Sequence, residues 1–239
     1  MRYLIKFSYD GIKFHGFQRQ KNEKNVQGTL EKVLSGVLEE SIVIKGSGRT
    51  DAGVHAKAQC AHFDVNKKIT KEDINIINRI LNEEIVIKNY KLVKNDFHAR
   101  HDVKYKKYVY KLNIGDFDKA KEGYYYQKKL KLDFSSMKKA IKLFIGTHDF
   151  RNFVSGLRHD YTTTIYKVKI KKKGNLVLFE FVGIGFYRYM VRHLVGALLD
   201  VGRGKAQVID IKRMLDNPLV EKSLSVVPAE GLYLINVKF

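Results

Sequence analysis

The chain contains one cysteine, Cys60. That excludes an intrachain disulfide and a cysteine-cluster metal site, and it fits a reducing compartment such as the cytoplasm. No apolar run approaches the length of a membrane span. The opening MRYLIKFSYDG alternates in period two and lacks the apolar block of a signal peptide. The expectation is a soluble cytoplasmic protein with no membrane partner. Prolines number only two, and there is no low-complexity tract. Acidic residues are also scarce: 25 Asp plus Glu stand against 45 Lys plus Arg, a net charge of +20 over 239 residues. Charge of that size repels itself unless a polyanion offsets it. Nucleic acid or an anionic membrane would do so. The plain alternative is a compositional bias, since Lys, Ile and Asn are all abundant.

Several catalytic signatures are missing as well. There is no Gly-Lys-Ser/Thr of a phosphate-binding loop and no dinucleotide fingerprint. Ser-His-Asp chemistry would want a G-x-S-x-G elbow, which is absent. His55 and His62 lie near Asp51 but not at a metal-ligand spacing, so no metal site is expected. No second carboxylate stands out for a glycosidase-like pair.

The periodicities that are present read as alternating strands and helices. YLIKFSY places Tyr3, Ile5, Phe7 and Tyr9 on one strand face. VQGTLEKVLSGVLEE carries Leu30, Val33, Leu34, Val37 and Leu38 at the spacing of an amphipathic helix. SIVIK reads as a strand leading into GSGRTDAGVHA, and AQCAHFDV as a strand with Ala61, Phe63 and Val65 inward. A helix near 71–81 and a strand near 84–93 complete the first half, the split βαβ order of a ferredoxin-like domain. The second half repeats it: a strand at YKKYVYKLN, a helix over 134–145 with Gly146 as its C-cap, two strands joined by a Lys-Gly-Asn turn, a helix over 186–201 and a terminal strand GLYLINVKF. The expected fold is α+β. Two ferredoxin-like lobes, 1–103 and 104–239, form a largely antiparallel mixed sheet with helices on one face and the other face open for a ligand.

GSGRTDAGVHA, residues 46–56, is the most unusual stretch. Its glycines permit backbone conformations that other residues resist and allow a ligand to approach closely. It presents one carboxylate, Asp51, with Arg49 nearby. An adjacent guanidinium keeps a carboxylate ionised, fit to act as nucleophile or base. By local chemistry alone an Asp capping a tight turn is the simpler reading. Tyr105, Tyr108 and Tyr110 interleave with Lys106, Lys107 and Lys111. That pattern suits stacking on bases and holding phosphates, or equally an ordinary amphipathic strand. In the helix from 186, Arg188 and Arg192 stand four apart, opposite the apolar stripe. They form either a solvated face or a pair aimed at phosphates or a carboxylate.

Seven segments together resemble the TruA family of tRNA pseudouridine synthases. They are FHGFQRQ (14–20), GSGRTDAGVHA (46–56), FHAR (97–100), KKYVYKLN (106–113), GTHDFRNF (146–153), GFYRYMVRHLVGALLDVG (185–202) and AEGLYLINVKF (229–239). They fall in family order, and the Gly-Arg-Thr-Asp segment is highly specific. The resemblance implies that Asp51 is the catalytic aspartate and that Tyr108 stacks on the target uracil. It further implies that Arg192 pairs with the aspartate and that Arg49 helps move or replace the flipped base. Gln18, Gln20, His55 and Arg188 are the remaining expected substrate-binding residues. The resemblance implies no cofactor, a homodimer, and tRNA as partner, with the open face of the sheet as an RNA-binding cleft and uridines 38 to 40 of the anticodon stem-loop as targets. Asp51 could then attack C1′ or C6, or work by a glycal-like route. The competing readings are a non-catalytic RNA-binding or RNA-folding protein, a paralogue acting on another RNA, and a metal-dependent nuclease acting through Asp51.

Overall fold

The computed structural model describes residues 1–218 and 225–239. The chain divides into two compact units. Unit 1 is Met1–Lys104 with Leu234–Phe239, and unit 2 is Tyr105–Tyr233. The described residues contain ten strands and five α-helices, an α+β composition with predominantly antiparallel pairing.

Unit 1 runs β1 (Arg2–Tyr9), α1 (Val26–Leu38), β2 (Lys45–Gly46), β3 (His55–Asp64), α2 (Lys71–Leu81) and β4 (Ile85–Val93). The spatial order is β4-β1-β3 with β2 on β3, all antiparallel. This is the split βαβ order expected from the sequence. Register pairs Tyr3 with Phe63, Ile5 with Ala61 and Phe7 with Gln59, so the inward residues of both strands share one buried face. Helix α1 starts where Asn25 accepts the N–H of Gly28 at 2.8 Å, an N-cap bond. Its buried stripe is Val26, Leu30, Leu34 and Leu38, with Val33 and Val37 half-buried. Glu31 lies buried on the same helix, and its carboxylate is satisfied by the Ile44 N–H at 3.0 Å, by Gln27 and by Arg19. A buried carboxylate needs such partners. The expected strand over SIVIK shrinks to Lys45–Gly46, because only Lys45 and Gly46 pair with β3, at His62 and Ala61. Helix α2 opens with a capping box between Thr70 and Asp73.

Unit 2 runs β5 (Tyr105–Asn113), β6 (Tyr126–Gln127), α3 (Phe134–Lys142), β7 (Gly146–Asp149), β8 (Thr162–Lys173), β9 (Leu176–Gly183), α4 (Met190–Gly202) and α5 (Val208–Asp216). The order is β5-β9-β8-β7. The last strand, β10 (Leu232–Lys238), begins in unit 2 and has Leu234 onward in unit 1. Tyr110, Phe179, Phe181, Phe144, Phe150 and Phe153 are fully enclosed and form the aromatic core of unit 2. The β8–β9 turn passes through Gly174, whose φ of +56° suits glycine. Gly146 is not a helix C-cap. Helix α3 ends at Lys142 with Leu143 as its cap, and Gly146 opens β7 at φ +117°. Register sets Lys107 opposite Val182, and Lys167, Lys169 and Lys171 opposite Val182, Glu180 and Leu178. These positions alternate with the core positions Phe179 and Phe181, so a lysine-rich face lies on the side away from the core. Glu180 bridges Lys107 and Lys171 there, at 3.2 and 2.5 Å.

Candidate functional site

In unit 1 the segment around Asp51 is a loop between β2 and β3, and side chains on neighbouring elements fix it. Ser47 donates its N–H to the Cys60 carbonyl at 2.8 Å and its hydroxyl to Gln59 Oε1 at 2.6 Å. The Gln59 amide returns a bond to the Gly48 carbonyl at 3.1 Å. Gln59 is fully buried, so its amide forms an internal brace. One step along, the Thr50 hydroxyl meets Tyr9 Oη at 2.7 Å, and burial pushes the Tyr9 phenol up to about 12. The Phe17 N–H donates to the Thr50 carbonyl at 3.1 Å. Past Asp51 the chain turns at Gly53, φ +79°, and the Val54 N–H closes onto the Asp51 carbonyl at 3.2 Å. Asp51 is half-buried at the first position of this turn, and Arg49, two residues earlier, is exposed.

The three glycines of the segment do not share one role. Gly53 alone takes the left-handed conformation. Gly46 is required by packing, since a Cβ there would lie 2.6 Å from Cζ of Phe17. Across from the turn, Gly16 (φ +94°) lets the 14–20 segment pass close to Thr50, whose carbonyl would be 3.1 Å from an added Cβ. Phe17 therefore ties FHGFQRQ to the Asp51 loop. Gln18 and Gln20 lie exposed on this tied segment, and Gln20 Nε2 donates to the His15 carbonyl at 3.0 Å. His55 faces inward: it is buried, its Nδ1 accepts the Gly11 N–H at 3.1 Å, and Asp10 lies 3.3 Å away.

In unit 2, Tyr108 is only 7% exposed, and its ring stands edge-on to Phe186 at 5.1 Å. The helix expected from 186 starts at Met190 instead. Tyr189 occupies its N-cap in the left-handed conformation, φ +61°, which stops the helix from extending backward. Arg188 is therefore not on a helix face with Arg192. The two arginines still meet, at Tyr189. The Arg192 guanidinium lies 4.4 Å from the Tyr189 ring centroid and that of Arg188 lies 4.9 Å from it. Arg192 Nε also donates to the Val227 carbonyl at 2.8 Å. His193, buried beside Arg192, has Nε2 3.1 Å from Ser155 Oγ. Burial and the Arg192 charge both push its pKa down. Glu230 is pushed up by burial and held back by Arg192.

Sequence reasoning missed Gln59, Thr50 and Tyr9 as supports of the loop, and Tyr189 as the platform between the arginines. Gln59 sits at an inward position of an alternating strand, and a polar residue there was the available signal. Among the described residues no group of three or more His, Cys, Asp or Glu is placed to share a metal ion, and no helix is long and apolar enough to cross a membrane.

Comparison with known proteins adds to this geometry. A family model described as tRNA pseudouridine synthase matches residues 6–106 and 140–239. The tRNA pseudouridine synthase A of Acetivibrio thermocellus is 40% identical over 235 residues, covering 97% of this chain and 96% of that protein. The protein of the same name from Limosilactobacillus reuteri is 40% identical over 247 residues, covering 100% and 96%. That of Thermosipho melanesiensis is 36% identical over 242 residues, covering 100% and 99%.

Proposed function

The chain belongs to the tRNA pseudouridine synthase family, and from that premise we propose that it isomerises uridines 38 to 40 in the anticodon stem-loop of tRNA, with Asp51 as the catalytic carboxylate. The observation that carries the assignment of Asp51 is its placement. One carboxylate stands at the first position of a turn whose backbone is tied down on both sides, at Thr50 and at Val54. A carboxylate carried on a backbone held that firmly gives up little main-chain freedom on meeting substrate.

The reaction breaks the N1–C1′ bond, turns the uracil and forms a C5–C1′ bond, after which the C5 hydrogen leaves as a proton and the freed N1 takes one up. There is no net hydrolysis or oxidation. The target base must leave its stack, at a cost of a few kcal/mol. Stacking on Tyr108 would offset about 1–3 kcal/mol of this, and Phe186 already holds that ring in place. Arg192 acts as the charge partner of the aspartate, and Arg49, exposed beside Asp51, helps move or replace the flipped base. Arg188, Gln18 and Gln20 complete the substrate-binding set. For His55, which is buried against Gly11, the role is to hold the loop.

Tritium at uracil C5 of a tRNA transcript tests this directly. Release into water by wild type, and none by Asp51→Ala at equal tRNA binding, is the expected result. Unchanged turnover by Asp51→Asn would remove the carboxylate from the mechanism. The family likeness also supports a cytoplasmic homodimer, and light scattering should return twice the chain mass.

A further inference from the structure

The segment 11–17 runs beside the Asp51 turn and presses on it at two points. A Cβ on Gly11 would lie 2.4 Å from the Val54 carbonyl oxygen and 2.8 Å from the Gly53 carbonyl carbon. One on Gly16 would lie 3.1 Å from the Thr50 carbonyl oxygen and 3.3 Å from the Ala52 nitrogen. The segment therefore touches the turn on both sides of Asp51, and hydrogen bonds fix it there. Gly11 donates its N–H to His55 Nδ1 and Phe17 donates its N–H to the Thr50 carbonyl, both at 3.1 Å. Gly11–Lys13 form a 3-10 turn capped by Asp10, which accepts the Ile12 N–H at 3.1 Å. The Phe14 N–H closes onto the Gly11 carbonyl at 3.2 Å, and the buried Phe14 ring stands edge-on to Tyr9 at 6.3 Å. Lys13 is exposed on this braced turn. Cations further along have carboxylate partners: His15 lies 3.3 Å from Glu23, Arg19 meets Glu31, and Lys24 lies 2.6 Å from Glu84. Among the described residues no carboxylate pairs with the Lys13 ammonium.

We propose that Lys13 holds a phosphate flanking the target uridine, so that the nucleotide is gripped by its backbone while Arg49 attends to its base. The ammonium is a compact charge on a flexible stem, carried two residues from the contact between Gly11 and the Asp51 turn. A uridine presented to Asp51 brings its own phosphates to the rim of that turn. An unpaired cation on a braced backbone meets them there at little cost in main-chain order. Contacts of this kind position a nucleic acid without reading its sequence. The proposal rests on the reaction proposed above for its substrate.

The test uses the whole protein with tRNA, and with a synthetic anticodon stem-loop in which single phosphates around the target uridine are replaced by neutral methylphosphonates. Lys13→Gln should weaken tRNA binding about fivefold at low salt and flatten the log–log salt slope by about one. Lys13→Arg, which keeps the charge, should hold both values near wild type. In tritium release, KM should rise with Lys13→Gln far more than kcat falls, because a phosphate contact is made equally before and in the transition state. On the stem-loop, one methylphosphonate should weaken wild type about as much as Lys13→Gln does and cause no further loss in that variant. An unchanged salt slope with Lys13→Gln, losses that multiply at every phosphate, or a fall in kcat at unchanged affinity would overturn the contact. A wild type that shows the coupling to one phosphate but releases no tritium would overturn the proposed reaction and leave the contact standing.

Discussion

Gly46→Ala should damage both stability and catalysis through one ring. The added Cβ would lie 2.6 and 2.7 Å from Cζ and Cε1 of Phe17. Carbon atoms rest at about 3.5–4.0 Å, so the ring must retreat by about 1 Å. Phe17 is 4% exposed, and it has no solvent to retreat into. Overpacking of this kind costs about 1–3 kcal/mol, and a chain of this size loses about 2–4 °C of Tm per kcal/mol. Urea denaturation should therefore give a lower midpoint at unchanged m-value. The same displacement pulls on the Phe17 N–H bond to the Thr50 carbonyl, one residue before Asp51. An error of about 1 Å at a reacting group can cost on the order of 100-fold, so turnover should fall at least tenfold with tRNA affinity nearly unchanged. The decisive control is a double-mutant cycle with Phe17→Leu, which removes the clashing ring atoms. Gly46→Ala should be nearly silent in that background, giving a coupling energy of about 1 kcal/mol or more. Strict additivity would refute the reasoning.

Tyr110→Phe removes the phenol that donates to the Pro228 carbonyl at 2.8 Å from a fully buried ring, and should cost about 1–2 kcal/mol in urea unfolding. Asn25→Ala removes the cap of α1 and should cost about 1 kcal/mol, with Asn25→Asp recovering most of it. His62 is buried, and its Nδ1 accepts the Ala99 N–H at 3.1 Å. Burial first, then the charges of Arg2, His98 and Lys45, push its pKa down to about 4, against the opposing pull of Asp64. The unfolded chain takes up this proton near 6.5 and the folded chain only near 4, so the stability is present above 6.5 and is lost as pH falls toward 4. Stability measured across that window should slope less in His62→Gln, and an unchanged slope would remove His62 as the cause. Finally, tRNA affinity should fall steeply with salt if phosphate contacts dominate; a slope near zero on a log–log plot would contradict it.

Where one periodicity ran uninterrupted, the sequence made the fold legible. Tyr3, Ile5, Phe7 and Tyr9 turned inward as read, because a half-buried strand repeats every two residues. Helix α1 and the strand order of unit 1 followed from the same logic. The reading failed where a local pattern met a backbone requirement. Tyr187, Arg188 and Tyr189 continue the polar spacing of α4, yet Tyr189 adopts φ +61° and ends the helix there. No side-chain pattern announces that. The strand over SIVIK failed because an apolar run does not guarantee a pairing partner along its length. Helix α5 went unread although Ile211, Met214 and Leu215 are buried at helical spacing and Gln207 and Asp210 form a capping box. Within GSGRTDAGVHA the presence of Asp51 was plain. Its supports were not, because Gln59, Tyr9 and Phe17 reach it from residues distant in sequence.

The division of the chain also sets an order of events during synthesis. Residues 1–104 leave the ribosome first, yet unit 1 includes 234–239. There, Lys104 donates its N–H to the Lys238 carbonyl at 2.8 Å, and Lys6 Nζ reaches Asn236 Oδ1 at 3.2 Å. Domains usually fold as they emerge. Here the first unit must wait for the whole second unit to be translated before its last strand arrives. In the interval it carries an unpaired sheet edge of the kind that recruits foreign strands. The nascent chain is therefore most dependent on chaperone cover after residue 104 and before residue 234. A ribosome stalled in that window should display a unit 1 more open to proteolysis than the finished protein.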